Sequence, residues 1–284
     1  MSTRMKPAAA SLLRNSNTGL PEPAPCALTI AGSDSSGCAG IQEDLKTFAS
    51  FGVHGLSAIA AVTAQNMHQV SAIHRIPVRH VEQQLRAVFE EFPIGAVKIG
   101  MLGSVATIRA VASFLHKHCR APIVLDPVLV SSSGRRLLPA TAIDVLRNEL
   151  IPLADLLSPN VPEAEALVGR HLTTTDGLRK AARDLLGLGA KSILLKGGHH
   201  AGDPICDYLV DAAGTRIFRH ARMPLGARGT GCVLSAAIAA GLARGRSRTA
   251  AVSAAEKYLQ LALHQAYRPG HSMLHALSVQ RKHK

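Results

Sequence analysis

Short, nearly unbroken apolar runs alternate along this chain with longer segments whose apolar residues recur three and four apart, and that alternation restricts the fold more than any other feature. The runs lie at 27–31, 57–63, 96–100, 123–126, 156–158, 192–196, 208–210 and 215–219. Helical spacing covers 41–51, 81–92, 105–118, 140–150, 178–188 and 231–243. A strand with one wet face alternates apolar with polar residues, whereas a strand apolar at nearly every position is buried on both faces. Strand followed by helix, repeated, therefore predicts an α/β fold with a mostly parallel central sheet and helices on both faces. The last two runs differ, because only Asp211-Ala212-Ala213-Gly214 separates them. They predict an antiparallel hairpin at one edge of the sheet.

At 284 residues the chain is long enough for one sizeable core. Aromatic residues make up 3% and Trp is absent, which favours small branched residues packed between layers over an all-β sandwich. The net charge of +13 raises the question of a polyanionic partner. The basic residues are spread, however, with local concentrations at Arg244, Arg246, Arg248 and Arg281-Lys282-His283-Lys284 and no interleaved aromatics. A solvated surface accounts for them better than a nucleic-acid face. The five cysteines are odd in number and none is spaced CxxC, so neither a disulfide framework nor a zinc site is indicated and a reducing, cytoplasmic setting is expected. No apolar stretch reaches the length of a membrane span. Residues 1–25 mix Ser, Asn, Pro and Ala and lack a hydrophobic core region, so they are read as a disordered tail rather than a targeting peptide. A single domain over 26–268 and a basic tail over 269–284 complete the expected organisation.

Five polar motifs stand at the expected carboxyl ends of strands, where an open α/β sheet gathers its ligand site. Gly229-Thr230-Gly231-Cys232 opens an apolar helix, and two glycines there let a backbone approach an anion whose charge the free amides of a first helical turn would stabilise. A glycine-rich helix cap explains the same tetrapeptide. The position of Cys232 in that turn predicts a thiol pKa below its reference of about 8.5, although a buried structural cysteine is the plainer reading of the residue alone. A second glycine-rich loop, Gly32 to Gly40, is neither a Walker A loop nor GxGxxG. Asp44 follows it, as a ligand acceptor or as an ordinary helix-start charge. In Ser158-Pro159-Asn160-Val161-Pro162-Glu163, Asn160 suits a helix cap, while Asn160 and Glu163 also offer the hard oxygens that Mg²⁺ prefers. Lys196 beside Gly197-Gly198 can reach a phosphate, and Asp126 places a carboxylate at the end of a buried strand.

Taken together, ALTIAGSDSSGCAGIQEDLKTF, AVTAQN, KIGML, VLDPV, SPNVPEAEAL, LLKGGH and GTGCVLSAA resemble, in order, the hydroxymethylpyrimidine/phosphomethylpyrimidine kinases of thiamine biosynthesis. The resemblance covers roughly Ala27 to Leu263. It implies a three-layer ribokinase-like kinase domain, a homodimer, ATP and Mg²⁺ as cofactors, and a small pyrimidine phosphorylated first on its hydroxymethyl group and then on the resulting monophosphate. On matching positions it implies that Asp44 and Gln65 bond the aminopyrimidine edge while Ala39, Met101 and Val128 line its pocket. Lys196 would touch ATP phosphates, Asn160 and Glu163 would organise the metal region with Asp126, and Gly229, Thr230 and Gly231 would form the anion hole. Cys232 would take the hydroxymethyl proton. Three features depart from the family's pattern: Cys38 replaces a glycine of a pair, Arg228 replaces a frequent His, and the glycine-rich C-terminal segment is reduced to Gly270-His271 and His275. Two other readings stay open, a pyridoxal-type kinase, since pyridoxine also carries a ring hydroxymethyl, and a non-catalytic ligand binder on the same fold.

Overall fold

Side chains leave a strand on alternate faces, and β1 (Cys26–Asp34) shows what that does when both faces are dry. Leu28 and Ile30 enter one hydrophobic core and Ala27 the other. The same division recurs in β4 (Ile94–Ile99), β5 (Ile123–Leu125), β6 (Leu156–Leu157) and β7 (Ser192–Leu195), where Ala96, Val124, Leu156 and Leu194 face the second core. The computed structural model describes residues 23–131, 134–199 and 204–278, so the expected N-terminal tail lies outside the described residues apart from its last positions, as does 279–284.

The remaining elements, in chain order, are α1 (Gly40–Ser50), β2 (His54–Gln65), β3 (Val70–Arg75), α2 (Val78–Glu91), α3 (Val105–His118), α4 (Ala142–Val145, continued by a wider turn at Leu146–Leu150), α5 (Val161–Val168), α6 (Thr175–Leu186), β8 (Ile205–Asp211), β9 (Gly214–His220), α7 (Thr230–Ala243) and α8 (Arg248–His264). The sheet runs β3-β2-β1-β4-β5-β6-β7-β8-β9. The pairs from β2 to β7 are parallel, and β3, β8 and β9 add antiparallel pairs at the two edges. Helices α2 to α6 cover one face and α1, α7 and α8 the other. The layered α/β expectation and the edge hairpin are met.

Helix α7 is apolar all round, with every residue from Val233 to Gly241 buried. It lies between the sheet and its two neighbours, so it has no wet face on which polar residues could sit. Elements β3 and α8 were not expected from the sequence. Strand β3 is a mostly exposed edge strand of mixed polarity, and α8 buries a narrow stripe rich in alanine, Ala251, Val252, Ala255, Glu256, Leu259 and Ala262.

Residues beyond the expected domain end at 268 return to the body: His275 donates its backbone N–H to Gly226 and accepts from Arg228, and Tyr267 pairs with Ala276. Leu277 joins the α7–α8 core, while Ala276 and Leu274 pack with Cys38 and Met67. The reduced C-terminal segment thus still holds the first glycine-rich loop, and Cys38 and Arg228, two of the departures from the family's pattern, are its anchor points. The Cys38 side chain fills this small cluster, and Arg228 Nε donates to Met67 O at 2.8 Å.

Phe48 in α1 is fully enclosed between α1, the sheet and the α7 layer. Phe48→Ala is expected to lower unfolding free energy by about 3–5 kcal/mol in a urea titration; a loss under about 1 kcal/mol would contradict this packing.

Candidate active site

Strand ends from β1, β4, β5, β6 and β7 converge on a cavity of about 830 Å³, a size that suits small-molecule ligands. Its floor is the start of α7. Gly229 is in the left-handed region at φ 77°, and a Cβ there would stand 2.2 Å from the Cys38 carbonyl oxygen. Only glycine lets the two loops meet. No side chain caps α7, so the first-turn amides of Thr230, Gly231 and Cys232 face the cavity with the positive end of the helix. The first loop closes by a similar approach, since a Cβ on Gly40 would lie 2.3 Å from Gly32 O.

Two lysine–carboxylate pairs stand against this helix start. Lys196 Nζ donates to Asp126 Oδ1 at 2.8 Å, with Ser235 Oγ 3.4 Å from the other oxygen. A Cβ on Gly231 would be 3.3 Å from Lys196 Nζ and 3.6 Å from Asp126 Oδ2, so the missing side chain is what brings the pair to the amides. Lys98 Nζ donates to Asp44 Oδ2 at 2.8 Å and Thr29 Oγ1 donates to the same oxygen at 2.6 Å. Lys98 and Asp44 are wholly buried. Burial alone would push the Lys98 ammonium down, but Asp44, with Cys232 and Asp126 beyond it, holds it above its ordinary value.

Asn160 and Glu163 form a reciprocal cap on α5: Glu163 N donates to Asn160 Oδ1 and Asn160 N donates to Glu163 Oε2, both at 2.9 Å. Burial pushes the Glu163 carboxyl up to about 7, opposed by Lys196 and reinforced by Asp126. Gln65, at the end of β2, is pinned by the first loop, its backbone exchanging two hydrogen bonds with the Ser35 hydroxyl at 2.7 and 2.8 Å. Met101 and Val128 belong to a small apolar cluster on the same side.

The structure therefore brings Ala39, Gln65, Met101, Val128, Asp126, Asn160, Glu163, Lys196 and Gly229 to Cys232 to one wall-lined space. Two expectations change. Asp44 does not line the cavity: it sits behind Lys98, with Oδ1 buried and without a hydrogen-bond partner. The helix start does not make Cys232 a ready thiolate. Burial pushes the thiol up to about 12; Lys98 and the Gly40 backbone oppose this, while Asp44 and Asp126 add to it. The residue missed by sequence reasoning is Lys98, whose signal was a lone lysine inside an otherwise apolar buried strand. Arg222, another missed residue, lines the cavity and donates to Gly198 O at 2.9 Å.

The sheet order, the glycine-bounded helix start and the paired lysines define an α/β kinase of ribokinase-like fold. The chain belongs to the phosphomethylpyrimidine kinase family, whose family model matches residues 34–276. It is 44% identical over 241 residues to the hydroxymethylpyrimidine/phosphomethylpyrimidine kinase of Haemophilus influenzae, covering 83% of this chain and 90% of that protein. It is also 44% identical over 252 residues to the thiamine biosynthesis bifunctional protein ThiED of Geobacter sulfurreducens, covering 88% of this chain; it spans about half, 51%, of that longer protein. Among solved structures, phosphomethylpyrimidine kinase from Clostridium difficile superposes with a TM-score of 0.75 at 41% identity, over 83% of this chain and 97% of that one. An ADP complex of Bacillus subtilis pyridoxal kinase superposes with a TM-score of 0.83 at 31% identity, over 90% and 97% of the two chains.

Glu163 supplies a test of the site's electrostatics. Its carboxyl ionises near 4.5 when free and near 7 when folded, so the folded chain keeps the proton longer and stability falls as pH rises through that window. Glu163→Gln keeps the cap acceptor and cannot ionise. The variant is expected to melt above the parent at pH 8, with the difference closing by pH 5; a variant that melts below the parent at pH 8 contradicts the buried-charge account.

Proposed function

We propose that the chain transfers the γ-phosphoryl group of ATP to the hydroxymethyl group of 4-amino-5-hydroxymethyl-2-methylpyrimidine, and then phosphorylates the resulting monophosphate. The observation that carries this reading is the start of α7. Gly231 abuts the Lys196–Asp126 pair, and the next residue, Cys232, meets the Gly40 backbone and Lys98. One helical turn thus presents amides and a lysine to a phosphate on one side and a thiol to an acceptor on the other.

Phosphoryl transfer asks the protein for alignment and charge stabilisation more than for covalent chemistry. The amides of Thr230 and Gly231 with Lys196 are the groups assigned to the transferring phosphoryl. Gln65 is assigned to the polar edge of the ring, and Ala39, Met101 and Val128 to its faces. Asp44 acts through Lys98, which it holds charged and fixed at the cavity wall. The hydroxymethyl oxygen forms the new bond to phosphorus as the bond to the ADP oxygen breaks, and its proton passes to Cys232 Sγ in the fraction of molecules whose thiol is already deprotonated.

The donor set also fits Mg²⁺. Asp126 and Glu163 are buried hard-oxygen ligands sharing Lys196 as their nearby cation, and the raised Glu163 carboxyl marks a place short of positive charge. These two residues, with Asn160 behind them, are assigned to the metal, which when bound neutralises phosphate charge.

Cys232→Ala is expected to lower kcat by about 10²–10⁴ with ATP binding retained. Because the thiol is raised, its thiolate fraction climbs with pH across the neutral range, so the parent's kcat should rise from pH 7 to 9 while the variant stays slow and flat. An unchanged kcat in the variant removes Cys232 from this role. The likeness to pyridoxal kinases makes the choice of ring a second test: kcat/KM is expected to favour the hydroxymethylpyrimidine over pyridoxal, and a clear preference for pyridoxal would overturn the assignment.

A further inference from the structure

Beyond the phosphate-facing carboxylates, one other buried cluster of titratable groups lies against the hairpin edge. Asp207 on β8, His220 at the end of β9 and Glu256 on α8 each offer a ligand atom, all within 4.8 Å of one another, and no other group of three is found among the described residues. His220 Nε2 lies 3.2 Å from Asp207 Oδ2 and 3.9 Å from Glu256 Oε2. Glu256 is only 6% exposed and its carboxyl lies within hydrogen-bonding reach of Asp207, with which it shares a proton when protonated, while the buried Nδ1 of His220 has no partner. Two carboxylates and an imidazole are thus enclosed together with their ligand atoms converging on one point. Burial and the adjacent Asp207 push the Glu256 carboxyl up to about 9, opposed by Lys196.

We propose that Asp207, His220 and Glu256 bind a single divalent transition metal, of the zinc or manganese class, at a site distinct from Asp126 and Glu163. The chemistry of the donors selects the class. Imidazole nitrogen suits zinc and its neighbours, carboxylate oxygen suits manganese as well, and the mixture disfavours Mg²⁺, which prefers an all-oxygen shell. The geometry suits it too. Ligands about 2.0–2.2 Å from a tetrahedral metal stand roughly 3.4 Å apart, so the two measured separations need only a small rotation of Glu256. The Asp207 carboxylate accepts from His220 Nε2, so a metal at this nitrogen would displace its proton, while Nδ1 has no partner.

A metal here would tie β8, β9 and α8 together at one edge of the sheet. Asp207 is already anchored, since its Oδ1 accepts the Gly197 backbone N–H. The site thus touches the same strand end that carries Lys196. The proposal does not depend on the kinase reading, and its test does not use activity.

Chelator-stripped full-length protein, dialysed against Zn²⁺ and separately against Mn²⁺, should retain one equivalent more metal by mass spectrometry than Glu256→Gln or His220→Asn treated alike. The chain's 14 histidines provide a background that the comparison subtracts. Glu256→Gln resembles the protonated carboxyl and is expected to fold with the parent's circular dichroism spectrum. Zn²⁺ should also raise the melting temperature of the parent and not that of the stripped variants. Equal metal content in parent and both variants, or a parent melting temperature indifferent to Zn²⁺ and Mn²⁺, overturns the proposal.

Discussion

Lys98 and Asp44 meet at 2.8 Å with no exposure of either side chain to solvent, and the architecture of the site depends on that pair. It links β4 to α1 and, through the Thr29 hydroxyl, to β1. A charge placed so deep is tolerated only when its partner is in place. Removing one member of such a pair costs about 3–5 kcal/mol, while replacing both with apolar residues of similar volume is often neutral. The pair is thus a weak source of stability and a strong constraint on geometry. It fixes an ammonium group at the cavity wall beside Cys232, next to the point where the sheet's carboxyl ends meet α7.

Glycine supplies the other half of the construction. At Gly229 and Gly40 the absence of a side chain lets backbone approach backbone at distances that a Cβ would prohibit, and at Gly231 it leaves room for the Lys196 ammonium close to the helix start. The result is an electropositive helix start bracketed by two ion pairs, with Glu163 and Cys232 both held in their protonated forms more firmly than in water.

The sequence alone disclosed the layered parallel sheet and the edge hairpin because strands buried on both faces leave unbroken apolar runs. It did not disclose β3, where an exposed edge strand has no such run, or α8, whose buried stripe is built of alanines that carry little hydrophobic contrast. Motif chemistry placed most of the site, since Asn160, Glu163 and Lys196 follow parallel strand ends that the sheet necessarily gathers, while the Gly229 turn, nine residues past β9, was legible through its glycines. It misjudged Asp44 and Cys232 for one reason: the depth of burial is a tertiary quantity. A helix start lowers a thiol pKa only where water or net positive charge surrounds it, and Cys232 has two carboxylates nearby. The return of the chain beyond 268 was hidden for a similar reason, because the short segment at 274–277 reveals its docking only through Cys38, Met67 and Arg228, all distant in sequence.

A double-mutant cycle on Lys98→Met and Asp44→Leu, measured by urea unfolding, tests the central constraint most directly. The account predicts that each single substitution destabilises by about 3–5 kcal/mol and that the double variant recovers most of the loss. Single losses that simply add in the double variant would show that the two residues are not a mutually dependent buried pair.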